Sequence, residues 1–336
     1  MRASFYTGNK SFTAGEIDPR ALRPDEARIK VSYCGICGTD LHIFHGRMDQ
    51  RVNPPRVIGH ECSGIIEEIS SSTANFRKGD RVVVRPLHPC GECPACLDGY
   101  AHICHRLKFL GIDTDGAFQE FWTVPAFAVH KLPDNLSLEL GALIEPLAVA
   151  CHDVRISGIK KGETAVIIGG GPIGMLVALV ARESGADAVI TEINPVRIKF
   201  AKSLGFETIN PDESDVEAYI NDKTRARGAD VVFEVSGSAN AAKLMTQIIK
   251  TRGTIVVVAI YTEKPPLDLH RFFWREITLK GARVYEPEDY EAAISIASKG
   301  NMPLERMITR IAPLSDIQSA FENAGSAADM KTLIKI

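Results

Sequence analysis

Near the start of the sequence, Ile36-Cys37-Gly38-Thr39-Asp40-Leu41-His42 brings a thiol, a hydroxyl and an imidazole into one short run. A cysteine thiolate holds Zn²⁺ well, and Zn²⁺ lowers the pKa of a bound hydroxyl by many units, taking water to about 7. An alcohol held in that way can lose its proton, and Thr39 and His42 offer a path for it. Gly59-His60-Glu61 lies 23 residues beyond Cys37, counted to His60, and adds an imidazole and a carboxylate. Glu145 stands in an apolar stretch, Ala-Leu-Ile-Glu-Pro-Leu-Ala-Val, where an unpaired carboxylate is costly to bury. Each of these residues alone has a plain structural explanation. Together, Cys37, His60 and one or both glutamates make a mixed sulfur, nitrogen and oxygen donor set with room for water or substrate. His152 follows Glu145 by about two helical turns and so shares a similar face. A packed or capping histidine is its plainer reading, and a place beside the substrate or in a proton relay the alternative.

The densest local signal is Cys90-x2-Cys93-x2-Cys96-x7-Cys104. Three thiols at intervals of three, with a fourth across a loop, can close a tetrahedral zinc site, and an iron–sulfur cluster is the rival. Pro89, Gly91, Pro94 and Gly99 suit the turns this requires. Four thiolates leave no open position, so the expected role is structural. Cys34, Cys62 and Cys151 read as small core residues, with Cys151 a reserve ligand. An even cysteine count would suggest disulfides in a small secreted domain. A long chain without a signal-like apolar N-terminus points to metal instead.

A second kind of chemistry begins at Gly169-Gly170-Gly171-Pro172-Ile173-Gly174, which fits G-x-G-x-x-G. Gly169 suits the tight turn, Gly171 the close approach of a pyrophosphate, and Gly174 the packing of helix on strand, with Ile173 between them. The helix that opens there offers free N–H groups to phosphate. An apolar strand precedes the motif, and Glu192 ends the next strand, 18 residues after Gly174. Glu192 would accept hydrogen bonds from ribose hydroxyls and repel a 2′-phosphate, favouring NAD over NADP. Arg197 pulls the other way, because a nearby arginine can accommodate that phosphate.

The elements that must position these groups fall into two textures. Residues 1–135 are mostly strand and turn, with alternation over Glu26–Cys34, Gly64–Ile69, Arg81–Arg85 and Phe118–Val124. A helical pattern follows from Ser137 to about Val154, with Pro146 a possible kink. From Glu163 strands and helices alternate for about a hundred residues, which argues a doubly wound parallel sheet. After Arg275 the pattern mixes again, and this tail is expected to complete the first domain. The chain has 336 residues, 45% of them hydrophobic, enough for about two domains with large cores. Its 39 basic and 42 acidic residues give −3, and no long basic run appears, so nucleic acid is an unexpected partner. The longest uncharged apolar stretch, Ala165–Ala181, is too short to span a bilayer and is broken by glycines. A soluble cytoplasmic protein without membrane association is expected.

These motifs together resemble the zinc-dependent medium-chain dehydrogenase/reductase family, in its sorbitol, threonine and 2,3-butanediol dehydrogenase branch. The resemblance runs nearly end to end. It rests on Cys-Gly-Thr-Asp-Leu-His at 37–42, Gly-His-Glu at 59–61, the cysteines at 90–104, Glu-Pro-Leu at 145–147, and the glycine turn with Glu192. It implies a Rossmann domain at 149–275 inserted in a mostly-β, GroES-like catalytic domain at 1–148 and 276–336, with a structural zinc lobe at about 88–106. It also implies two zinc ions per chain. Cys37, His60 and Glu61 would be catalytic ligands, Glu145 a ligand or exchanging ligand, and Thr39 and His42 the proton relay. Arg283 resembles an arginine near substrate or cofactor in the polyol enzymes. The implied activity is NAD-dependent interconversion of a secondary alcohol (a polyol, sugar alcohol or vicinal diol) and its ketone, by a homodimer or homotetramer. Threonine 3-dehydrogenase-type or keto-sugar reductase activity is the nearest alternative, and a zinc-ribbon interaction protein a remote one.

Overall fold

The computed structural model describes residues 1–70, 75–326 and 328–336. The chain forms two compact units, one of Met1–Glu145 with Glu286–Ile336, the other of Pro146–Tyr285.

The first unit is built on a seven-stranded, largely antiparallel sheet. Its organising strand is Glu26–Gly35, whose inward residues Ala27, Ile29 and Val31 alternate with less buried neighbours. This strand pairs with Glu61–Ile69, Phe121–Pro125 and Lys331–Lys335. The register sets Gly35 opposite Glu61 and Cys34 opposite Cys62, while Leu333 also pairs with Gly35. Strand pairing thus brings the start of the Cys37 run, the His60-Glu61 pair and the Lys331 strand to one end of the sheet. Trp122, Phe118, Ile29 and Ile66 are fully buried beneath it. Each such side chain contributes about 1.5–3 kcal/mol of transfer free energy.

The second unit holds a six-stranded parallel sheet. In spatial order its strands are Glu207–Ile209, Asp187–Thr191, Thr164–Ile168, Ala229–Glu234, Ile249–Val257 and Thr278–Gly281. Numbered along the chain this is 3-2-1-4-5-6, the doubly wound order, with its switch point beside Thr164–Ile168. Val166, Val189, Val232 and Ile255 pack with Ile220 and Met245 from flanking helices.

Two expectations need correction. The tail after Arg275, with a strand at Ile277–Arg283, reads in sequence as completing the first domain, but Thr278–Gly281 extends the parallel sheet beside Ile249–Val257. All four of its residues are exposed, so it carries no alternation to assign it by. The helical stretch after Ser137 is two helices, Leu138–Gly141 and Ile144–Ser157. Pro146 sits in the first turn of the second, where a missing N–H costs nothing. No helix among the described residues is long and apolar enough to cross a membrane.

Candidate metal centres and dinucleotide cleft

Cys37 caps the N-terminus of the helix Gly38–Phe44, and Asp40 closes a capping box by accepting the Cys37 N–H at 2.9 Å. The same turn therefore fixes the thiol and buries a carboxylate. Asp40 Oδ1 lies 3.5 Å from His60 Nδ1, and both residues are buried. With Nδ1 facing Asp40, Nε2 is the nitrogen left for a metal. Burial opposes charging of His60, but Asp40 and the Cys37 thiol outweigh it and raise the imidazole pKa well above the usual range. The Phe109 ring meets the His60 ring edge-on at 5.1 Å and fixes its plane.

The donor atoms of Cys37, His60 and Glu61 all lie within 4.8 Å of one another. Glu145 is buried, at 5% exposure, but lies outside that grouping. Glu61 is 1% exposed and accepts from Lys331 Nζ at both oxygens, 2.7 and 2.6 Å. Nζ also donates to the Ile36 carbonyl at 3.1 Å. Burial pulls the Lys331 pKa down, but Glu61 and the Cys37 thiol more than offset it, and the ammonium is held above the ordinary lysine range. Gly35 makes room for this pair, since a Cβ there would fall 2.1 Å from Glu61 Oε2.

Thr39 and His42 are three apart on the Gly38–Phe44 helix and so share a face. Thr39 is half-buried and His42 exposed. The Arg47 guanidinium approaches His42 Nδ1 to 3.2 Å. Partial burial, Arg47 and His45 together lower the His42 pKa, which keeps this imidazole neutral and able to take a proton.

The second cluster is closed. Sγ separations are 4.0 Å for Cys90–Cys96, 3.6 Å for Cys93–Cys96, 3.7 Å for Cys93–Cys104 and 3.4 Å for Cys90–Cys104. A tetrahedron with Zn–S bonds of about 2.3 Å has edges of about 3.8 Å, so the four thiols fit zinc without rearrangement. They are far too distant for disulfides. Backbone N–H groups of Cys90, His105 and Arg106 donate to the sulfurs. Led by the Glu92 amide, such contacts pull the Cys90 thiol down to about 6, so it is ready to bind as thiolate.

In the other unit, a cleft of about 930 Å³ opens above the carboxyl ends of the parallel strands, lined by Gly169, Gly171, Glu192, Arg197 and Ser236 among others. A Cβ on Gly174 would lie 1.9 Å from the Gly169 carbonyl oxygen, so only glycine lets helix Pro172–Glu183 pack this close. Ile173 is half-buried in its first turn. Glu192 Oε2 accepts from the Gly170 N–H, and Oε1 from those of Ile193 and Asn194, each at 2.8 Å. The carboxylate is thus fixed at the cleft floor before any ligand arrives. Arg197 flanks it, with a guanidinium nitrogen 3.7 Å from where a Cβ on Gly171 would stand. His152 is buried, with Nδ1 at 3.3 Å from an Arg155 nitrogen, and Arg283 is exposed just past the last strand of the sheet.

The sequence reading brought out Cys37, His60 and Glu61 but missed Asp40, Lys331 and Gly35. Asp40 had a signal, since an acid three residues after a helix cap is a capping-box pattern. Lys331 had none, being 270 residues from Glu61.

A cluster of thiol, imidazole and carboxylate in one unit, with a dinucleotide cleft in the other, defines a metal-dependent nicotinamide oxidoreductase. Residues 23–134 match the alcohol dehydrogenase GroES-like domain family and residues 172–299 the zinc-binding dehydrogenase family. The 2-dehydro-3-deoxy-L-galactonate 5-dehydrogenase of Pseudoalteromonas atlantica is 52% identical over 336 residues, all of this chain and 98% of that one. The crystal structure of 2R,3R-butanediol dehydrogenase from Bacillus subtilis superposes with a TM-score of 0.92 at 31% identity, covering 100% of this chain and 99% of its own. A candidate zinc-binding dehydrogenase of Sinorhizobium meliloti, crystallised with NADP, gives 0.93 at 31%, with 100% and 99% covered. The chain belongs to the zinc-dependent medium-chain dehydrogenase/reductase family, in its polyol dehydrogenase branch. It is an oxidoreductase that interconverts an alcohol and a ketone, with zinc and a nicotinamide cofactor.

Proposed function

We propose that this enzyme oxidises a secondary hydroxyl of a sugar acid, a polyol that carries a carboxylate, with NAD as acceptor. The observation that carries the substrate class is the 52% identity, over all of this chain and 98% of the relative, to a dehydrogenase named for C5 of a 2-dehydro-3-deoxy-aldonate. Cys37, His60 and Glu61 would hold one zinc, with Glu145 a carboxylate that can exchange onto it. Cys90, Cys93, Cys96 and Cys104 hold a second that maintains the fold. When bound, the first zinc supplies Lewis acidity to the substrate oxygen. Thr39 receives the hydroxyl proton and His42, kept neutral by Arg47, passes it to solvent; a bound nicotinamide would supply the hydride acceptor. The NAD preference rests on Glu192, whose carboxylate, fixed by three backbone N–H groups, repels a 2′-phosphate more effectively than half-buried Arg197 attracts it. An NAD-reduction screen over sugar acids, sugar alcohols, butanediols and threonine tests this. The expected result is a kcat/KM for 2-dehydro-3-deoxy-aldonates above all others, and higher with NAD than NADP. A preference for an uncharged diol would overturn the substrate class.

The partner in this reading is a second copy of the chain. Thr278–Gly281 is an open sheet edge with all four residues exposed, and Phe273 and Trp274 are 79% and 73% exposed just before it. An unpaired edge flanked by exposed rings suits twofold strand pairing. Light scattering should give a dimer or a multiple of it, and Trp274→Glu should shift the mass toward monomer.

A further inference from the structure

Lys331 is the least expected residue in the first unit. It is 5% exposed, and its three contacts all lie at the donor cluster: 2.6 and 2.7 Å to the Glu61 oxygens and 3.1 Å to the Ile36 carbonyl. Taking an ammonium and a carboxylate out of water costs several kcal/mol per ion, and a well-packed apolar pair often stabilises a fold as well or better. Stability alone therefore gives little reason for the pair. The opposite strand has also yielded space for it, because any side chain at Gly35 would collide with Glu61. Orientation of the carboxylate is thus fixed from two sides, by an ammonium and by a missing Cβ.

We propose that Lys331 is a positioning residue for the metal held by Cys37 and His60: it fixes the Glu61 carboxylate as third donor. The proposal rests on the reading that these residues bind a metal. A carboxylate whose two oxygens both accept from one ammonium presents its remaining lone pairs in one fixed direction.

The test uses the holoenzyme. Zinc loss to a chelator is followed by elemental analysis, and cobalt(II) replaces zinc at the labile site for absorption spectra. The four-thiol zinc is the internal reference. Lys331→Met should weaken retention of the labile metal about 10–100-fold and change the cobalt bands, whereas Lys331→Arg should restore most of both. In a Glu61→Gln background, Lys331→Met should add nothing. Unchanged affinity and spectrum in a folded Lys331→Met protein would overturn the proposal, as would an equal loss with and without Glu61. Should Lys331→Met alone fail to fold, the double variant leaves no unpaired charge. Compared with Glu61→Gln it decides the matter, equal affinity supporting the proposal and a further tenfold loss overturning it. The underlying metal reading fails separately, if the wild-type protein holds no labile metal that Cys37→Ala abolishes.

Discussion

The two donor clusters of the first unit are built on opposite plans. The Cys90–Cys104 lobe takes four like donors from one short loop, satisfies its sulfurs with its own backbone N–H groups, and closes on itself. The Cys37–His60–Glu61 cluster takes three unlike donors from a helix cap and a strand end, and its supports, Asp40 and Lys331, come from elsewhere in the chain. Closure by identical thiolates leaves nothing for a substrate to bind. Three unlike donors leave a metal with a further position at which it can accept another ligand. A site's openness is thus set by how many donors the fold brings to it.

Removing one donor from each cluster is the strongest test of this contrast. Cys37→Ala should reduce turnover to background and remove one metal per chain, while dinucleotide binding, read by calorimetry, persists. Retained turnover with that metal gone would break the comparison. Cys104→Ala should do the reverse, lowering the melting temperature and exposing the lobe to protease while kcat per folded molecule stays near wild type. A collapse of kcat in a protein that melts normally would mean the lobe takes part in the chemistry.

A subtler substitution sharpens the role of the supports. Gly35→Ala places a methyl group where Glu61 Oε2 now stands, so the carboxylate must move. Labile-metal affinity should fall about 10–100-fold, as for loss of an outer hydrogen-bonding partner, with the four-thiol zinc unaffected. Smallest in size is the effect of Arg47→Met. In oxidation His42 must be neutral to take a proton, so activity is lost as pH falls through its pKa, which Arg47 helps to lower. Without the guanidinium that pKa rises, and the acid limb of the kcat/KM profile should move to higher pH. An unmoved limb would remove His42 from the proton path.

How much could be read in advance follows the same division. The four-thiol lobe was legible because its ligands are local and cysteine at that spacing has few other uses. The glycine turn and Glu192 were legible because phosphate binding at a helix start demands glycine at fixed positions. Cys37, His60 and Glu61 were visible as residue types, but what orients them was not. Asp40 was hidden inside a motif read only for its thiol, hydroxyl and imidazole. Lys331 was hidden because lysine ordinarily means surface, and only strand pairing between Lys331–Lys335 and Glu26–Gly35 brings it inside. Thr278–Gly281 could not be placed because hydrogen bonding to a neighbouring strand, with no buried side chain, holds it in its sheet.

The separation of 270 positions between Glu61 and Lys331 also imposes an order of events during synthesis. The unit Pro146–Tyr285 is contiguous, and a contiguous domain emerging from a ribosome can fold as soon as it is out. Glu61 must wait for a partner translated after that whole unit. A nascent chain is therefore able to complete the unit that carries the dinucleotide cleft before the donor cluster has its counter-ion.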